Sequence, residues 1–149
     1  AHTPLWLKRT VLPMAAALIS GAIVACVSAV AIAAAFGAPR QVLVSIAPKS
    51  VTAGIAMAVS ENLGGVPALT AVLVITTGIL GAVIVTPLMN ALRIKDFAAR
   101  GFAVGLASHG IGTARAFAVD EVAGTFAGIA MGLNGLATSL IVPLLMRWT

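Results

Sequence analysis

The sequence predicts an all-α integral membrane protein, a polytopic helical bundle forming one transmembrane domain over residues 1–149, with two interrupted helices in an internal repeat. Three observations carry this. The chain is 60% hydrophobic and 9% charged, whereas soluble domains carry about 25% charged residues. Residues 10–39, 62–92 and 122–146 contain no Asp, Glu, Lys or Arg, and each run exceeds the ~20 residues that cross a bilayer. Between them lie two apolar stretches broken by Pro, Gly, Lys, His and hydroxyl residues. In lipid, such broken backbone survives only when buried in protein or lining a wet cavity.

The first span runs from residue 10 to 36. Ala17, Gly21, Ala25, Ala29 and Ala33 recur every four residues along it, a stripe that lets a neighbouring helix approach closely. Gly37-Ala38-Pro39-Arg40 stops the helix. Residues 42–60 form the first interrupted segment. Lys49 sits in its middle, Pro48 beside it removes a backbone donor, and Gly54 loosens the chain beyond. Residues 61–67 make a turn, 68–89 the second clean span, and 90–101 an interfacial stretch holding Arg93, Lys95, Asp96 and Arg100. Residues 102–119 are the second interrupted segment, with Ser108-His109-Gly110-Ile111-Gly112-Thr113-Ala114-Arg115 at its heart. Residues 122–146 are the last span, where Gly124, Gly128 and Gly132 form a doubled GxxxG face and Asn134 is placed for an interhelical hydrogen bond.

A shift of 60 positions lays one interrupted segment on the other. Lys49 then falls on His109, Glu61 on Glu121 and Gly64 on Gly124. This defines repeat-like halves at about 42–89 and 102–146, and paired interrupted segments point to a transporter's binding site. The segments either cross the bilayer or turn back as re-entrant hairpins. Crossing makes the repeats parallel; re-entry makes them inverted. Counting Lys8, Arg9, Arg40, Arg93, Lys95, Arg100 and Arg147, both topologies split the cations five against two, so the positive-inside rule does not choose.

A cation at membrane depth is expensive and is usually kept for function. Lys49 is therefore the expected counter-charge for an anionic substrate. Ser50 and Thr52 supply hydroxyls at the first break; Ser108, His109, Gly112 and Thr113 supply the matching set at the second. His109 could also couple proton movement to transport. Arg115 is the second intramembrane cation, able to grip a carboxylate bidentately or to pair with Asp120 or Glu121. These eight residues are the expected substrate site. The net charge of +5 is spread through short loops, the usual juxtamembrane pattern, and not gathered into a nucleic-acid surface. Cys26 is the only cysteine, which excludes an internal disulfide and a cysteine metal cluster. No GxSxG, HExxH or P-loop occurs. No catalytic residue, metal ligand or cofactor is expected, and the coupling ion, H+ or Na+, is left open. The chain is read as not an enzyme.

These same residues carry a family resemblance. Ser45-Ile46-Ala47-Pro48-Lys49-Ser50-Val51-Thr52, Gly64-Gly65-Val66-Pro67-Ala68-Leu69-Thr70-Ala71-Val72, Thr77-Gly78-Ile79-Leu80-Gly81-Ala82 and Ala107-Ser108-His109-Gly110-Ile111-Gly112-Thr113-Ala114 resemble, in order and spacing, the signatures of the LrgB/CidB family. The signature residues fall here on Pro48, Lys49, Ser50 and Thr52, and on His109, Gly112 and Thr113. Family members often have proline after the first signature, where this chain has Ala53-Gly54. Members usually carry further transmembrane segments at the N-terminus. The chain begins at Ala1 and is read as a fragment or processed product, shortened there.

The resemblance implies two functions. One is a carrier for small monocarboxylates of the glycolate, glycerate and pyruvate class, as in the plastidal glycolate/glycerate translocator. The other is a holin/antiholin-like regulator of murein hydrolase activity and lysis, acting by oligomerisation with an LrgA/CidA-type partner. The carrier needs Lys49 and His109; the regulator needs the face around Gly128 more. Expected partners are small organic acid anions, the lipid bilayer, an LrgA/CidA-like membrane protein and further copies of the chain. The expected location is the bacterial inner membrane, with the plastid inner envelope less favoured.

Overall fold

The computed structural model describes residues 11–147. Lys8, Arg9 and the start of the first expected span lie outside the described residues. Six helices follow in order: α1 (Leu12–Ala35), α2 (Arg40–Ile46), α3 (Ala53–Asn62), α4 (Pro67–Ala91), α5 (Phe97–Phe117) and α6 (Glu121–Leu145). Among the described residues α1, α4 and α6 are long and apolar enough to cross a membrane, with 24, 25 and 25 residues. At 1.5 Å per residue each is about 36–38 Å long, more than the ~30 Å hydrocarbon core.

The sequence around each terminus explains where helices begin and end. Pro67 opens α4 at a position whose N–H would be orphaned anyway. Asp96 and Asp120 cap α5 and α6, accepting the N–H groups of Ala99 at 2.7 Å and Ala123 at 3.0 Å. Gly37 and Gly64, at φ 73° and 83°, take left-handed turns that a side chain would resist.

The first interrupted segment is a re-entrant hairpin. Helix α2 is only seven residues, and the chain turns through Ala47–Thr52 before α3 begins. Had α2 and α3 formed one crossing span, Val66 would lie far from α2. Instead the Val66 N–H donates to Ser45 Oγ at 2.8 Å, and a Cβ on Gly65 would press on Val44 and Ser45. Val59 and Leu63 of the returning arm pack on the cluster of Leu43, Val44 and Ala47. The Ser60 hydroxyl accepts from Thr70 Oγ1 at 2.8 Å, which ties α3 to α4.

The second interrupted segment also turns back. His109, at φ 42° and ψ −134°, breaks α5 into two arms. Gly101 of the outgoing arm lies against Ala123, while Phe117 of the returning arm lies against Gly124. Both ends of α5 therefore meet the start of α6. Gly101 and Gly105 are so close to the backbone of Ala123 and Ala127 that a Cβ on either would collide with it, so the outgoing arm packs parallel to α6, backbone on backbone.

The two hairpins enter from opposite ends. Arg40, at the start of α2, donates to the Met146 carbonyl at the end of α6 (3.1 Å). Arg100, early in α5, donates to Asn90 Oδ1 at the end of α4 (2.7 Å). The Arg40 end thus holds the mouth of the first hairpin and the Arg100 end that of the second. Each hairpin is followed by a long span running the other way, which is the inverted arrangement. The fixed shift of 60 pairs Lys49 and His109 at the two turns but fails beyond them. Glu61 ends α3 while Glu121 begins α6, and Gly64 makes a turn while Gly124 lies inside α6. The second unit is shorter between its turn and its span.

Candidate functional site

The two turns meet at mid-bundle. Asn134, almost fully buried in the middle of α6, donates to the Ser50 carbonyl at 3.2 Å and to the Leu106 carbonyl at 3.0 Å. Thr138 donates back to Asn134 Oδ1 at 3.3 Å. One amide thereby satisfies a freed carbonyl in each broken helix, as backbone at membrane depth requires. The interhelical bond expected of Asn134 is two bonds, and they join the two hairpins.

Beside this junction lies a cavity of about 510 Å³, lined by Gly21 and Ala25 of α1, Lys49 and Ser50 of the first turn, Thr77, Leu80 and Gly81 of α4, and Leu106 to Ser108 of the second hairpin. Its size suits a small ligand. Lys49 is half-buried and its Nζ has a single weak contact, to Ser50 Oγ at 3.4 Å. Among the described residues no carboxylate pairs with it. Ser108 is fully buried, and its Oγ lacks any hydrogen-bond partner. A buried hydroxyl left unmade costs about 1–3 kcal/mol and marks a place for a missing acceptor or donor. The cavity thus combines a free cation with an orphan hydroxyl, and the Ser50 and Thr77 hydroxyls lie on its wall. That set can hold a small anion whose oxygens take the ammonium and hydroxyl hydrogens.

Glycines make the meeting possible. A Cβ on Gly81 would overlap Ser108 Oγ, and one on Gly78 would come within 2.6 Å of the His109 ring. A Cβ on Gly21 would collide with Leu106, so the small-residue stripe of α1 serves as the seat for the second turn and as one cavity wall.

The other expected site residues are placed elsewhere. His109 turns away from the cavity and is buried against α4, its Nε2 2.9 Å from the Val74 carbonyl. A carbonyl only accepts, so Nε2 carries the proton. The ring holds the strained backbone at the turn, a conformation that costs about 1–3 kcal/mol. Thr113 is spent on the His109 carbonyl at 2.8 Å. Gly112 lies where the two arms of α5 cross, with no room for a Cβ between Ser108 and Val104. Thr52 precedes α3 and is half-buried outside the cavity lining. Arg115 lies two turns beyond His109, exposed at the Arg100 end, in a different cavity. Thr77, Gly81 and Ala25 were not expected. A threonine in an apolar span carries a weak signal, because it normally bonds its own helix, as Thr76 does to the Val72 carbonyl at 2.8 Å.

Re-entrant hairpins entering from both ends, spans that follow them in opposite directions and a largely apolar cavity with Lys49 and Ser108 at the turns define a helical integral membrane protein. Comparison with known proteins supplies its kinship. The LrgB-like family matches residues 4–148, and the chain belongs to that family. It is 37% identical over 112 residues to the "Holin-like protein CidB" of Staphylococcus aureus (strain Mu50 / ATCC 700699), covering 75% of this chain and 49% of that protein. It is 43% identical over 104 residues to "Uncharacterized protein YwbG" of Bacillus subtilis (strain 168), covering 70% and 46%. With "Uncharacterized protein YxaC" of the same organism it shares 33% over 134 residues, covering 90% and 58%. The chain spans about half the length of the curated relatives it matches. No solved structure matches it.

Proposed function

We propose that this chain forms the substrate-binding part of a membrane carrier for small monocarboxylates of the glycolate, glycerate and pyruvate class. The observation that carries the proposal is the cavity where Lys49, free of any carboxylate partner among the described residues, faces the orphan Ser108 hydroxyl at the junction of two oppositely entering hairpins. A lysine at this depth costs about 2.5–3.5 kcal/mol on insertion scales, and its one bond, 3.4 Å to Ser50 Oγ, is too long to offset that. A carboxylate supplies the missing charge. A hydroxy or keto acid carries a further oxygen on the neighbouring carbon, for which the serine and threonine hydroxyls of the same cavity are suited partners. Broken helices at a repeat junction are where carriers bind.

The carrier resides in the bacterial plasma membrane with the Arg100 end in the cytoplasm. Among the described residues that end holds Arg93, Lys95, Arg100 and Arg115, against Arg40 and Arg147 at the other, and cytoplasmic loops carry the excess of Lys and Arg.

The relatives' printed name, "Holin-like protein CidB", favours a second reading, in which the chain regulates lysis through assembly with an LrgA/CidA-type partner. Uptake separates the two. The chain reconstituted into proteoliposomes, alone and with such a partner, is expected to take up labelled glycolate, glycerate or pyruvate saturably. Uptake of none of them above empty vesicles, in either preparation, would favour the regulator.

A further inference from the structure

A second cationic site stands at the Arg100 end, separate from the carboxylate cavity. A cavity of about 240 Å³ opens between α4, the two arms of α5 and the start of α6, and both Arg100 and Arg115 line it. The rest of its wall is largely apolar, with Val85, Val104 and Val119 prominent. A neighbouring cavity of about 410 Å³ shares Asn90 and Arg100 and adds Arg93 and Lys95. Four cations therefore border two adjoining hollows.

Among the described residues none of the four forms an ion pair. Three acids lie at this end: Asp96 and Asp120 cap α5 and α6 through neutral N–H groups, and Glu121 is exposed in the first turn of α6, so the four cations still outnumber them. Arg100 is instead held by neutral oxygens, Asn90 Oδ1 at 2.7 Å and the Thr86 carbonyl at 3.4 Å, which fix its guanidinium at the cavity while leaving its charge free. Arg115 makes no hydrogen bond among the described residues. Arginine forks match phosphate oxygens bidentately, and basic pockets between membrane helices recognise anionic lipid headgroups.

We propose that this is a binding site for an anionic phospholipid. The phosphodiester sits between Arg100 and Arg115, the first methylenes lie on Val85, Val104 and Val119, and Arg93 and Lys95 face the rest of the headgroup. The apolar wall selects an amphipathic ligand over a free phosphate. The position matters for the fold, because the site joins the end of α4 to both arms of the second hairpin. A bound lipid would hold the hairpin's mouth against its supporting span.

The test is native mass spectrometry of the detergent-purified chain with added phosphatidylglycerol, with phosphatidylcholine, and with water-soluble glycerol 3-phosphate. Both lipids offer the phosphodiester, but choline brings a fixed positive charge against Arg93 and Lys95, so phosphatidylglycerol adducts are expected to exceed phosphatidylcholine adducts by about tenfold, and glycerol 3-phosphate in equimolar amount is expected not to displace them. Arg115→Gln, at an exposed residue with no internal bond, is expected to reduce the adducts by a similar factor without changing the fold. Arg147→Gln, at the opposite end, is expected to leave them unchanged. Equal adducts for the two lipids, equal loss in both variants, or displacement by glycerol 3-phosphate would each overturn the proposal, the last by assigning the site to a soluble anion.

Discussion

Lys49→Met is expected to abolish carboxylate uptake while leaving the protein folded. A charge-assisted hydrogen bond is worth about 1.5–3 kcal/mol. At 1.4 kcal/mol per decade, loss of the ammonium lowers apparent affinity for the acid by about 10- to 100-fold, and the remaining hydroxyls offer no charge to draw an anion to that depth. Stability runs the other way. Lys49 has only the 3.4 Å contact to Ser50 Oγ, so methionine removes a desolvated cation and gives up only that long bond to the buried Ser50 hydroxyl, and replacing buried charge by an apolar group of similar volume is often neutral or stabilising. The pair of measurements is initial uptake rate against acid concentration and the melting transition in detergent. Wild-type uptake by the variant would remove Lys49 from the site. Lost uptake with a lowered melting temperature would make Lys49 structural.

Gly105→Leu is expected to disrupt the second hairpin strongly. The Cβ of any residue there would fall on the Ala127 backbone, which has no rotamer to yield, so α5 must lift off α6. Overpacking costs about 1–3 kcal/mol, occasionally more, and here the backbone itself must move, placing the expected loss at the upper end, about 3 kcal/mol. Gly128→Leu is the contrast. Nothing lies within 4 Å of a Cβ at Gly128, and a change at such an open position is expected to fall within about 0.5 kcal/mol. Thermal unfolding of the two variants side by side checks this. Equal destabilisation would contradict the α5–α6 packing described above. Tolerance of Gly128→Leu in folding but loss of assembly with a partner would instead support the lysis-regulating reading.

These two glycines show where sequence reasoning reaches its limit. Gly124, Gly128 and Gly132 read as a close-packing face because of their spacing, yet only Gly124 packs, against the Phe117 ring, while Gly128 and Gly132 have nothing near them. Gly101 and Gly105 have the same spacing, but lie beside the interfacial charges and at the edge of a broken segment, which masks the motif. The three spans were legible because charge avoidance over more than twenty residues has one physical meaning in a bilayer. The breaks were legible because Lys49 and His109 interrupt apolar runs. Hairpin and crossing were not distinguishable, since both divide the loop cations equally; the deciding contact, Ser45 with Val66, joins residues 21 apart and has no local signature. At the site, Lys49, Ser50 and Ser108 stand out by type. His109 stands out equally but faces α4, because the direction of a side chain at a strained turn depends on tertiary packing that spacing does not encode.

A carboxylate bound between the two hairpin turns would occupy the space beside Ser108, and Ser108 reports on that space directly. Cys26 is the only cysteine, so Ser108→Cys in a Cys26→Ser background places a single thiol beside the cavity. Its labelling by a small thiol-reactive probe is to be timed in membranes with and without glycolate, glycerate and pyruvate, and with the uncharged amide of glycolate. At least one of the acids is expected to slow labelling in a saturable manner, the amide is expected not to, and the protection is expected to disappear with Lys49→Met. Labelling at one rate under all conditions, with uptake intact, would contradict carboxylate binding between the turns.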